Sequence, residues 1–175
     1  MQSEGMLLYV MRHGPAQDRA PSGYDADRAL TPEGRELAGR AAKELGRRSG
    51  SGIVRVVSSP LQRARETADL MRAVVCPHGV VDLRRELLPD DAPPLTVVRE
   101  LLALGGDTLL VGHQPSVELL VQALVDDAGR AALPFGFRTA MIVGLQVVAA
   151  SSGAALPLSR FRLRMVLDPR EAPAP

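Results

Sequence analysis

Short, continuous apolar runs alternate along the chain with longer stretches whose apolar residues recur at helical spacing. Leu7, Leu8, Tyr9, Val10 and Met11 form the first run, which ends in Arg12-His13-Gly14 and breaks at Pro15. Residues 108–111 form another, ending in Gly112-His113-Gln114-Pro115, and residues 53–57, apolar apart from Arg55, read as a second buried strand ending in Ser58-Ser59-Pro60. Runs without polar alternation are expected of strands covered on both faces, as in a parallel sheet. Residues 15–29 are polar and carry glycine, proline and aspartate, the composition of a surface loop. Thr31-Pro32-Glu33-Gly34 then opens a helix, with threonine as the N-cap and proline in the first helical position. Its apolar stripe is Leu37, Ala38, Ala41, Ala42 and Leu45, and residues 46–52 end it in a glycine- and serine-rich turn.

A second helix is predicted over 61–75, with Leu61, Ala64, Ala68 and Met71 on one side and Arg63 in its first turn. Cys76-Pro77-His78-Gly79 reads as a turn and residues 80–83 as a short strand. Residues 86–94 carry three acids and three prolines, so an irregular surface excursion is expected there. Helices follow over 95–104, ended by Gly105-Gly106, and over 116–125. Residues 139–148 and 161–167 read as closing strands, joined as a hairpin through the small residues 149–155. Strands alternating with helices in this way predict an α/β fold.

Composition narrows the class. A chain of 175 residues suits one domain large enough to bury a core, spanning 1–175 with residues 1–5 and 168–175 as frayed tails. No apolar run reaches the roughly 18 residues of a membrane span. The first five residues lack the basic stretch that leads into a signal peptide, so a cytoplasmic protein without membrane partners is expected. Cys76 is the single cysteine, which excludes an internal disulfide. The net charge is only +1 and aromatics are 3% with no tryptophan, which argues against a nucleic-acid surface. Any important positive field must therefore be local.

The strand ends supply that field. Right-handed crossovers place the turns after the three buried runs along one edge of a sheet, where open α/β sheets hold ligands. Arg12, His13, Arg63 and His113 then converge on one pocket with no motif acid nearby. Such a cluster repels itself unless a dianion fills it, and a phosphoryl group matches the planar donor fork of arginine. Neighbouring guanidinium groups keep His13 neutral, with a lone pair for attack on phosphorus. Attack gives a covalent phosphohistidine that water then hydrolyses. Arg12, Arg63 and His113 would stabilise charge on the equatorial oxygens. The scheme calls for no cofactor and no metal, and three histidines with one cysteine form no evident metal-ligand set.

Arg12-His13-Gly14, Thr31-Pro32-Glu33-Gly34, the stretch from Ser58 to Ala64 with Thr67-Ala68, and Val111-Gly112-His113 resemble, in order, the motifs of the histidine phosphatase, or phosphoglycerate mutase-like, superfamily. The resemblance covers residues 7 to about 124. The short chain without the mutases' long insertions is most similar to the small SixA-like phosphohistidine phosphatases. It implies a three-layer α/β/α sandwich with one strand antiparallel to the others, His13 as nucleophile, and Arg12, Arg63 and His113 as phosphate ligands. The superfamily commonly supplies a glutamate that protonates the leaving group. Here the corresponding stretch, residues 85–91, lacks the usual aromatic and glycine context, and Glu86 is the tentative acid, with Asp90 or Asp91 as alternatives.

Imidazole leaves with a pKa of about 6.5 and needs far less protonation than an alkoxide. A poorly marked acid therefore favours a phosphohistidine-bearing protein, such as a phosphorelay histidine domain, as substrate. The alternative is a small phosphate monoester or nucleotide-type metabolite, and the rival outside catalysis is a phosphoprotein-binding module. Ser58 and Ser59 read as turn and cap residues, His78 as solvent-exposed and Cys76 as a small core residue.

Overall fold

A computed structural model describes residues 5–50, 52–148 and 161–171. In these residues six strands form one sheet: β1 (Leu7–Arg12), β2 (Ile53–Ser58), β3 (Val81–Leu83), β4 (Asp107–Gly112), β5 (Ile142–Val147) and β6 (Phe161–Leu167), in the order β3-β2-β4-β1-β5-β6. β1, β2, β3 and β4 pair in parallel. β5 runs antiparallel to both β1 and β6, so it alone opposes the others. Among the described residues, five helices accompany the sheet: α1 (Pro32–Ser49), α2 (Gln62–Val75), α3 (Leu95–Leu104), α4 (Ser116–Leu124) and α5 (Asp127–Ala132). None of the described helices is long and apolar enough to cross a membrane.

The continuous runs are covered on both sides. Leu8 and Val10 of β1 and Leu110 of β4 pack with Val97, Leu101, Val117 and Leu120 of α3 and α4. Tyr9 and Met11 of β1, with Leu109 and Val111 of β4, pack instead with Leu37, Ala41 and Leu45 of α1 and Ala64, Ala68 and Met71 of α2. Successive residues of β1 and β4 thus feed two separate cores, which is why their central positions are apolar; β2, whose Val54 is exposed, carries Arg55 beside it.

The first helix begins as its sequence predicts. Thr31 caps it, its hydroxyl accepting from the Gly34 N–H at 3.0 Å, and Pro32 is the first helical residue. Gly34 is there for space: a Cβ on it would lie 2.0 Å from the Pro15 carbonyl oxygen, and one on Gly14 would lie 2.9 Å from the Gly34 carbonyl. The Arg-His-Gly turn and the Thr-Pro-Glu-Gly turn therefore rest backbone against backbone, and Thr31 N–H donates to the Pro15 carbonyl at 3.0 Å.

Several boundaries differ from the sequence expectation. α1 runs past Gly46 to Ser49, because Gly46 sits against Val74 of α2 and the stop comes at Gly50, with φ of 59°. β5 starts at Ile142 rather than 139. Ala140 has φ of 66°, which turns its N–H to the carbonyls of Arg12 and His13, both at 3.0 Å. α5 was not anticipated; Asp126 caps it through the Gly129 N–H at 2.7 Å. Residue 168, expected to open a frayed tail, is instead anchored. Asp168 is buried, bonded to Arg138 and Arg170, and Arg170 also donates to the Thr139 carbonyl. The hairpin turn expected over 149–155 lies outside the described residues.

Candidate active site

Strand order decides which turns meet. β2, β4 and β1 are adjacent and parallel, with Arg12 paired to Gly112 and Ser58 to Val111. The three turns anticipated at one sheet edge therefore lie side by side, tied by His13 N–H to the Gly112 carbonyl at 3.0 Å and Ser59 N–H to the Val111 carbonyl at 3.1 Å. Thr67 links in the helix that carries Arg63. Its hydroxyl donates to the Arg63 carbonyl at 2.7 Å and accepts from Gly14 N–H at 3.0 Å.

His13 and His113 face each other with ring centroids 5.0 Å apart and planes tilted by 55°. Both are buried, as is Arg63 at 5% exposure. His13 Nδ1 lies 2.7 Å from the Gly14 carbonyl oxygen. Only an N–H can bond there, so the lone pair of the neutral ring sits on Nε2. His113 Nε2 lies 2.8 Å from Ser59 Oγ, while His113 Nδ1 is buried without a partner. Arg12 donates through Nη1 to the Phe137 carbonyl at 2.9 Å, and its Nε is likewise buried and unpartnered. Buried polar atoms without a partner are rare in folded proteins.

The sequence reading expected no acid near these cations, and the structure corrects it. Asp25, in a short 3-10 turn of the loop after β1, receives Arg63 Nη1 on its carbonyl at 3.0 Å and Nη2 on its carboxylate at 3.2 Å. Glu118 of α4 also acts on Arg12 through its charge. Ser59, Thr67 and Phe137 were likewise not foreseen as pocket partners. Ser59 had been read as a cap residue, and it does accept from Leu61 N–H at 3.3 Å. Asp25 had no visible signal, because nothing local ties a loop carboxylate to an arginine 38 positions on.

The three acids weighed for the leaving group sit apart from this network. Glu86 is exposed in a 3-10 turn after β3. Asp90 is pinned by its main chain to Ser116 at 2.9 and 2.7 Å, and its carboxylate accepts from Asp91 N–H. None of the three carboxylates bonds to the pocket's arginines or histidines among the described residues. No described cluster of His, Cys, Asp and Glu has the makings of a metal site. His78 is exposed and Cys76 buried.

Burial pushes the His13 imidazole down to about 4, with the Gly14 bond opposing and Arg63, Arg12 and Arg28 adding to the shift. Burial also drives His113 down to about 3, helped by His13 and Arg63. Both rings are neutral near neutral pH. In the unfolded chain they take up protons near 6.5, so the unfolded state binds more protons below that pH. Their stability contribution is complete above pH 6.5 and lost as the pH falls towards 4 for His13 and 3 for His113. Urea melts should show a lower midpoint at about pH 4.5 than at about pH 7.5. The acid loss should shrink in a variant carrying His13→Asn and His113→Asn; an unchanged loss would place its origin elsewhere.

Comparison with known proteins bears on the family and the fold. The sequence profile of the histidine phosphatase superfamily (branch 1) matches residues 8–86. An uncharacterised protein of Picosynechococcus is 33% identical over 149 residues, covering 83% of this chain and 87% of its own. The structure of the protein histidine phosphatase SixA complexed with tungstate superposes with a TM-score of 0.75 at 24% identity, over 94% of this chain and 98% of SixA. SixA of Agrobacterium tumefaciens gives 0.71 at 26% identity, over 93% and 98%. The fold also extends to a mycobacterial glucosyl-3-phosphoglycerate phosphatase, with a TM-score of 0.62 at 23% identity over 91% and 96%. With its Arg-His-Gly strand end, its facing histidines and these relatives, the chain belongs to the histidine phosphatase superfamily and has the SixA fold.

Proposed function

We propose that the protein is a phosphatase that forms a covalent phosphohistidine on His13 and acts on phosphohistidine in a protein partner. The observation that carries this reading is the neutral, buried His13, its Nδ1 tied to the Gly14 carbonyl, beside two buried nitrogens with no partner, Arg12 Nε and His113 Nδ1. In the first step His13 Nε2 attacks phosphorus and the bond to the leaving group breaks, that group taking the electron pair. In the second, water attacks the phosphohistidine, the P–Nε2 bond breaks, and inorganic phosphate leaves. Arg12 and Arg63 stabilise charge on the equatorial oxygens, and so does His113 when the Ser59 hydroxyl donates to its Nε2 and leaves Nδ1–H as donor.

Two observations favour a phosphohistidine protein over a sugar phosphate. Among the described residues, no carboxylic acid is bonded into the pocket except Asp25, which is held as an anion by its arginines. A leaving imidazole tolerates that arrangement and an alkoxide does not. The rim also suits a protein-sized partner. Of the five aromatic residues, Tyr9, Phe137 and Phe161 are buried, while Tyr24 and Phe135 are exposed. Those two stand within two positions of the carbonyls of Asp25 and Phe137, which hold Arg63 and Arg12. The resemblance to SixA points the same way.

The test is kcat/KM across a panel of a phosphohistidine-bearing phosphorelay domain, sugar phosphates and nucleotides. General acids contribute about 10²- to 10⁴-fold, so the phosphohistidine protein is expected to lead by about 100-fold or more. Equal or better turnover of a sugar phosphate or nucleotide would overturn the reading in favour of a small-metabolite phosphatase.

A further inference from the structure

We propose that the Asp25 carboxylate competes with the phosphoryl group for Arg63, a built-in anion that neutralises the arginine in the free site and weakens the hold on the phosphate product. The proposal rests on the reading of Arg63 as a phosphate ligand. Arg63 is almost fully buried, and a buried guanidinium requires a counter-charge. Asp25 provides it in two separable ways. Its main-chain carbonyl takes Nη1 at 3.0 Å and fixes the plane of the guanidinium, while carboxylate Oδ2 takes Nη2 at 3.2 Å and balances the charge. The other oxygen, Oδ1, takes Arg28 at 2.9 Å, so one carboxylate occupies two of the arginines that act on His13.

Both contacts hold the carboxyl group ionised, since the Arg28 bond foremost, and Arg63 after it, lower the Asp25 pKa. The side chain is nonetheless 61% exposed and stands on a three-residue turn, so it can swing into water without opening a cavity. The carbonyl bond remains when it does. Arg63 would then keep its orientation and exchange a monoanionic partner for the phosphoryl dianion. An interaction that must be given up for substrate and product alike raises KM and the product inhibition constant together.

Calorimetric titration with inorganic phosphate, together with phosphate inhibition of p-nitrophenyl phosphate hydrolysis, tests this in Asp25→Asn and Asp25→Ala. Both variants should bind phosphate more tightly by about fivefold, as expected for a partly exposed charge pair, with KM falling by a similar factor. Alanine is the discriminating case. If the carboxylate served only to hold Arg63 in place, its removal would weaken phosphate binding, and unchanged or weaker binding in either variant overturns the proposal. Thermal melts of both variants should fall below the native melt without phosphate, because Arg63 loses its counter-charge, and should recover when phosphate is added. Arg63→Met separates the two levels of inference. Undiminished phosphate binding in that variant means that Arg63 is no phosphate ligand, and the site reading falls with the proposal. Lost binding there, with no gain in the Asp25 variants, removes the proposal alone.

Discussion

His13→Ala is expected to lose turnover of p-nitrophenyl phosphate by on the order of 10⁴-fold or more, because the proposed covalent intermediate forms on that ring. His13 Nε2 carries the free lone pair, since Nδ1 is committed to the Gly14 carbonyl. Burial keeps the ring unprotonated near neutral pH. His113 cannot take over without leaving Ser59. Two measurements check this: steady-state turnover, and an alkaline quench of enzyme mixed with radiolabelled substrate. Native protein should carry base-stable, acid-labile label and His13→Ala none. Calorimetric phosphate affinity should change far less than turnover, because Arg12 and Arg63 remain. Native protein that binds phosphate yet neither turns over nor takes up label would be a binding module instead.

The second large effect is at the facing ring. His113→Ala should lower kcat by about 10²- to 10³-fold, the scale for removing one preorganised donor from a transition state. The orphaned Nδ1 of His113 is the atom at stake. Ser59→Ala removes only the hydroxyl that sets the tautomer through Nε2, so its loss should be smaller and the label on His13 should persist. Comparison of kcat for the two variants decides between a donor role for His113 and a packing role. If His113→Ala kept native kcat once its melting temperature was shown to be adequate, the donor role would fail.

Much of this fold is local in origin and could be read from the chain. The apolar runs became β1, β2 and β4, and the Thr31 cap with Pro32 became the start of α1. These signals span a few residues and depend on burial of both strand faces and on one hydrogen bond to a helix end. The misreadings fell where local and tertiary preferences conflict. Gly46 looks like a stop, but it is the position where α1 packs against Val74 of α2. Asp168 looks like the start of a tail, but it is the buried anchor for Arg138 and Arg170. Nothing within a few residues of either reports the distant partner that decides its conformation.

The same division runs through the site. The sequence alone pointed to the groups that meet in the pocket, Arg12, His13, Arg63 and His113, because each ends or follows a buried strand and the crossover rule brings strand ends together. Only the tertiary structure decided how those groups are tuned. Asp25 reaches Arg63 across 38 positions, Ser59 reaches His113 across 54, and the Phe137 carbonyl reaches Arg12 across 125. Each contact depends on loop paths that no periodicity encodes, and a carboxylate or hydroxyl acts on its partner's charge and tautomer only within a few ångströms.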